Sequence, residues 1–158
     1  MAKRIRKEHD MKGLVLTIGA VTAALSLTFG LSVASASSSS ATRVATASST
    51  LGRILVDSHG RTLYLFARDK NGKSACSGSC AAYWPPLIAS GKPHAIAGAK
   101  ASLLGTTRRA DGRLQVTYRH HPLYRYAGDA GKGQTNGQGL NESGGLWWVL
   151  SPAGNKIS

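Results

Sequence analysis

The chain has 158 residues, 42% of them hydrophobic and 17% charged, with 20 Lys and Arg against 7 Asp and Glu. That length excludes more than one sizeable core, and a formal net charge of +13 favours anionic partners over acidic self-association.

Lys3, Arg4, Arg6, Lys7 and Lys12 form a basic start, Leu14 to Val33 carries no charge over 20 residues, and Ala34-Ser35-Ala36 offers small residues where a signal peptidase reads. Those parts in that order describe a secretory signal peptide over residues 1–36. A stretch of that length also reaches across a bilayer, so an uncleaved anchor is the alternative. The Gly, Thr and Ser content and the small-residue exit favour cleavage. No cysteine stands at the end of the leader, so the protein is expected to be exported to the cell envelope or medium without lipidation.

Ser37 to Thr50 is almost wholly Ser, Ala and Thr, with Arg43 as its single charge. A tract this poor in apolar surface reads as a flexible linker over 37–50. The folded domain is then expected over 51–158. Residues 37–158 hold fifteen Lys and Arg against five Asp and Glu, a net +10. In an exported protein this points to anionic wall polymers or the membrane surface, not to nucleic acid. The alternative is a solvated face that serves solubility.

Arg53-Ile54-Leu55-Val56-Asp57, a Ser58-His59-Gly60 turn and Arg61 to Phe66 predict a hairpin. Cys76 and Cys80 follow, the only cysteines in the chain, and in an exported protein they predict a disulfide. So small a ring stabilises by about 2 kcal/mol on the chain-entropy estimate. Short helical turns are predicted around Ala81 to Trp84, stopped by Pro85-Pro86, and near Ala99 to Leu103. A second hairpin turns at Ala110-Asp111-Gly112 into the strand Leu114 to Tyr118, and Arg119-His120-His121-Pro122 turns the chain again into Leu123 to Tyr126. Gly128 to Gly145 holds seven glycines in eighteen residues and reads as a long irregular loop. The strand Leu146 to Leu150 closes the series.

Two of these segments say nearly the same thing. Leu63-Tyr64-Leu65-Phe66-Ala67-Arg68-Asp69 and Leu123-Tyr124-Arg125-Tyr126-Ala127-Gly128-Asp129 both read Leu-Tyr-x-aromatic-Ala-x-Asp, sixty residues apart. The match implies a duplicated unit. Strands separated by Gly-rich turns, built on that duplication, predict an all-β domain, a small antiparallel sandwich or barrel-like sheet.

Candidate chemistry is sparse. Asp69 and Asp129 could flank a substrate as acid and base, but an Asp after a strand also accepts backbone N–H bonds and closes a turn. These two, with Tyr64, Phe66, Tyr124 and Tyr126, are read as structural before functional. The Cys76–Cys80 spacing is not the C-x-x-C of thioredoxin-type enzymes, and Cys80 is followed by Ala81, which excludes the covalent haem motif. His120 and His121 are weak metal candidates, since adjacent strand residues face opposite ways. No P-loop frame and no Gly-x-Ser-x-Gly elbow is present. Trp84, Trp147, Trp148 and Arg125 are the candidate ligand contacts, as stacking platforms beside a cation.

The ordered set Leu63-Tyr64-x-Phe66-x-x-Asp69, Cys76-x-Gly78-x-Cys80-Ala81-x-x-Trp84-Pro85-Pro86-Leu87, His121-Pro122-Leu123-Tyr124-x-Tyr126-x-Gly128-Asp129, Gly137-Gln138-Gly139 and Gly144-Gly145-x-Trp147-Trp148 resembles a bacterial family, the secreted repeat of unknown function. That family is also labelled as lipoproteins with a Y-x-(F/W/Y)-x-x-D motif. The resemblance covers about Leu51 to Gly154 and implies an exported domain without assigned chemistry. Two departures stand out: the lipidation cysteine is missing, and His120 stands where relatives often have Gly. The resulting expectation is a monomeric, non-catalytic module of the cell envelope that binds anionic wall or surface polymers and needs no cofactor. The competing expectation is a redox- or metal-linked envelope protein using Cys76, Cys80 and the histidines.

Overall fold

The two Leu-Tyr-x-aromatic-Ala-x-Asp segments meet each other. In the computed structural model, which describes residues 41–158, the Tyr64 N–H donates to the Tyr124 carbonyl at 2.9 Å, and the Tyr124 N–H donates back at 3.0 Å. This reciprocal bridge lies on a pseudo-two-fold axis that relates the halves. Tyr64 pairs on its other side with Val149, and Tyr124 with Pro86. The equivalence continues outward: the Ala67 N–H reaches Leu146 O at 2.9 Å, and the Ala127 N–H reaches Tyr83 O at 2.8 Å. Each half therefore supplies the strand that flanks the other half's motif.

The elements follow in chain order. β1 (Arg43–Ser49) and β2 (Gly52–Asp57) form an antiparallel hairpin with Ser49 opposite Gly52. β3 (Tyr64–Phe66) carries the first motif, and α1 (Ser79–Tyr83) is a single turn ending at Trp84. β4 (His94–Ala95) lies parallel to β1, giving the order β2-β1-β4. A 3-10 turn (Ala101–Leu103) leads into β5 (Leu104–Arg108), which pairs with β6 (Leu114–Tyr118), and β6 with β7 (His121–Pro122). β8 (Asn141–Glu142) and β9 (Gly145–Val149) complete the sheet β3-β9-β8. The domain is all-β and sandwich-like. Among the described residues there are three small sheets and almost no helix, without closure into a barrel.

Both faces of the central strands are buried, as strand alternation requires when layers cover a sheet on both sides. Tyr64 and Phe66 face one cluster with Trp84, Tyr124, Trp147, Ile54 and the two cysteines. Leu63 and Leu65 face the other, with Leu55, Leu87, Val116, Tyr118, Leu123 and Leu150. The Cys76–Cys80 disulfide sits at the edge of the aromatic cluster, one turn before Trp84.

Two expectations fail. The linker expected over 37–50 is, from Arg43, strand β1, so the domain does not start at 51. Val44, Ala45 and Thr46 are buried, Val44 in one cluster and Ala45 in the other. The tract has little apolar surface of its own, but it pairs with β2 and β4 and packs small side chains against surface that other segments provide. The Gly-rich stretch 128–145 is likewise not irregular throughout. β8 lies within it, the Thr62 hydroxyl donates to Gln134 O at 2.5 Å, and the Gln138 side chain ties Val149 N to Ile157 O. Its glycines serve close approach: a Cβ on Gly137 would stand 2.7 Å from the Trp84 ring. The leader expected over 1–36 lies outside the described residues.

The turn between β6 and β7 has two central residues, Arg119 and His120, with φ of 48° and 66°. Such turns favour Asn-Gly, because a side chain in the left-handed region is strained by roughly 1–2 kcal/mol. His120→Gly is therefore expected to stabilise the domain. Relief of that strain exceeds the added unfolded-chain entropy by about 0.5 kcal/mol, a Tm rise of a few degrees in thermal unfolding.

Candidate functional site, a cationic groove beside Trp148

The motif residues lock the halves crosswise. The Tyr64 hydroxyl donates to Asp129 Oδ2 at 2.7 Å, and the Tyr124 hydroxyl donates to Asp69 Oδ2 at 2.9 Å. The second oxygen of each carboxylate caps the loop that follows it. Asp129 Oδ1 accepts the Asn136 N–H at 2.9 Å, and Asp69 Oδ1 accepts the Ala75 N–H at 2.7 Å. Around Tyr124 the network continues inward. Its hydroxyl lies 2.8 Å from Ser74 Oγ, which accepts from Arg109 Nη1, and Arg109 also donates to Gln115 Oε1 and Cys76 O. Burial pushes both carboxyls up, Asp69 to about 6, and pushes both phenols up as well.

The aromatic members of the motif stack between the halves. Phe66 lies on Trp147 at 4.1 Å, Trp147 on Trp84 at 3.9 Å and 3°, and Trp84 on Tyr126 at 4.3 Å. Tyr64 and Tyr124 meet Trp84 and Trp147 edge-on at 5.4 and 5.1 Å. Glu142 serves both indoles, its carboxylate accepting from Trp84 Nε1 and its carbonyl from Trp147 Nε1. Sequence reasoning missed Glu142, and its being the only Glu of residues 37–158 was its one signal.

Three of the four candidate contacts are thereby set aside. Trp84 and Trp147 are fully buried in the stack and present no face to a ligand. The charge of Arg125 is committed elsewhere: its Nε lies 2.6 Å from Asp57 Oδ2. Burial would raise the Asp57 carboxyl, but hydrogen bonds from the Arg61 backbone, Arg125 and the His59 backbone outweigh it and hold the group low. Cys76 and Cys80, 1% and 9% exposed, offer little access to an attacking thiolate. Among the described residues no three His, Cys, Asp or Glu side chains lie close enough to hold a metal ion. His120 is exposed in its turn. His121 is half-buried, and burial with Arg119 and His120 beside it lowers its pKa.

Trp148 remains. It is partly exposed at the wall of a groove of about 530 Å³, with Leu65, Ala67 and Leu146 as apolar neighbours and Arg119, His121, Asn155 and Lys156 as polar ones. Lys156 Nζ stands 5.0 Å over the indole, and the Arg119 guanidinium donates to Asn155 Oδ1 and Ala153 O. The equivalent place in the first half is built from different residues. By the internal repeat, Trp148 corresponds to Pro85, Leu65 to Arg125 and Arg119 to His59, and Arg125 there turns to Asp57. The halves share their core and part company here.

A family model described as "Secreted repeat of unknown function" matches residues 45–88 and 105–151, one stretch in each half and together more than half of the chain. No curated protein and no solved structure matches it. Among the described residues no helix is long and apolar enough to cross a membrane.

The lock makes two predictions. Tyr124→Phe takes the donor from the half-buried Asp69 carboxylate and is expected to destabilise by about 1 kcal/mol in denaturant unfolding. Asp69 ionises near pH 6 in the fold and near its ordinary 3.8 when unfolded. Its contribution to stability therefore falls as pH rises between these values and stays low above them. Asp69→Asn cannot ionise, so its Tm relative to wild type is expected to be higher at pH 7 than at pH 4.

Proposed function

The chain belongs to the family of secreted repeats of unknown function, and from that premise we propose that this exported domain is a non-catalytic module that binds anionic polymers of the cell envelope. The groove beside Trp148 carries the reading. It offers two exposed cations, Arg119 and Lys156, at a partly exposed indole, on a domain whose residues 37–158 hold a net +10. An indole face accepts the C–H surface of a sugar or polyol, and the flanking cations accept phosphate or carboxylate. The other candidate chemistry is spent on the fold: the Asp residues hold tyrosines and loops, and the disulfide is buried. Long-range attraction from the net charge would bring the domain to a polyanionic wall, and the groove would hold it there.

The test is co-sedimentation of the purified protein with isolated cell wall. Retention is expected at low ionic strength and should fall as NaCl screens the charges. The double variant Arg119→Ala/Lys156→Ala is expected to weaken retention by roughly tenfold and to flatten its salt dependence. Equal retention of the variant and the wild type, or no retention at low salt, would overturn the assignment.

A further inference from the structure

Resting on that reading, we propose that the groove is one of two subsites on a continuous track for a linear polyanion whose charges repeat along the chain, a polyol phosphate being the model ligand. The second subsite is a hollow of about 420 Å³ lined by Asp69, Asn71, Gly72, His120, His121 and Pro122. His121 lines both the hollow and the groove, so the two are neighbours across a single side chain.

Two turns build the rim. Lys73 N–H bonds Lys70 O at 2.8 Å around Asn71 and Gly72, both in the left-handed region, and the Arg119-His120 turn stands against it. A Cβ on Gly72 would lie 3.4 Å from His120 O, so the turns touch. Lys70 and Lys73 are exposed on one turn, Arg119 and His120 on the other, and Lys156 lies farther along at Trp148. The turns that border the hollow thus carry exposed basic side chains, and the groove adds Arg119 and Lys156. The one acid in the hollow, Asp69, has one oxygen on the Ala75 N–H and the other on the Tyr124 hydroxyl.

Strain argues for the same track independently. The first turn uses Asn-Gly, the pair that folding prefers at positive φ. The second holds Arg and His in that conformation, although Gly would fold more readily. Strained residues retained against folding preference cluster at binding sites, and here both can carry positive charge. The two cavities are concave and polar-rimmed, which suits an extended chain better than a bilayer, where protruding apolar groups would be needed. A polymer engaging both subsites gains from effective concentration, because the second contact becomes intramolecular.

The experiment titrates the purified protein with glycerol phosphate as a monomer, as a short oligomer and as a long oligomer, following Trp fluorescence and calorimetry, with anionic vesicles in parallel. The long oligomer is expected to bind at least about tenfold more tightly per unit than the monomer. Lys70→Ala/Lys73→Ala, which removes two exposed side chains from the turn between Asp69 and Ser74, should abolish that gain, and thermal unfolding of the variant confirms that it folds. If the long oligomer binds but gains nothing from length, or keeps its gain in that variant, the track is wrong while the single-groove reading stands. Binding to vesicles without binding to any oligomer overturns the track in favour of a membrane surface. No binding to polymer, vesicle or cell wall removes both.

Discussion

The fold depends on a crossed pair of hydrogen bonds. A buried tyrosine hydroxyl and a buried carboxylate are each costly alone and favourable together. In this chain the tyrosine of one half can find its carboxylate only in the other half. Each half would also expose one face of a tryptophan if separated, because Trp84 and Trp147 cover one another. Stacked and edge-on aromatic pairs add about 0.5–1.5 kcal/mol each beyond their buried area. Halves built this way are stable as a pair and poorly stable singly.

The same bonds position the loops. With one carboxylate oxygen on a tyrosine, the other caps the backbone of the next loop, at Ala75 in the first half and Asn136 in the second. The first loop then carries the disulfide toward Trp84, and the second carries Gly137 beneath the same ring. Core, loop and disulfide are thus one cooperative assembly, in which loss of a hydroxyl is felt at the cysteines and at the indoles.

Much of this was legible in the sequence, and the misses share a cause. The duplicated motif, the strand Leu114 to Tyr118, the disulfide and the short helical turn before Pro85 each follow from local pattern. Strand β1 does not, because Val44 to Thr46 pair with partners whose apolar surface is remote in sequence. For Trp147 and Trp148 a strand alone predicts one indole in and one out without saying which, and Trp84, read at the end of a short helical turn, carried no signal of its partner. Only the second half's approach shows that Trp84 and Trp147 cover each other and that Trp148 is the partly exposed one. The motif signalled that Tyr and Asp belong together, but not that the bond crosses between copies. The groove itself was invisible for the same reason: Arg119, Trp148 and Lys156 come from a turn, a strand and the chain's last residues.

Duplication then narrows where function can reside. Residues that both halves hold alike are accounted for by the lock and the stack, since each half needs them to complete its neighbour. What is left for a ligand is the set on which the halves differ. At the outer edge of the β3–β9 pair the second half presents Trp148 and Arg119, while its counterpart presents Pro85 and His59 and is closed by the Arg125–Asp57 ion pair. Trp148 packs in part against the second core cluster and the Arg119 guanidinium ties down the turn at Ala153 and Asn155, so this edge serves the fold as well, and it adds strain at Arg119 and His120 and positive charge beside an indole. The symmetric part of the molecule is therefore the scaffold, and the groove beside Trp148 is where that symmetry breaks.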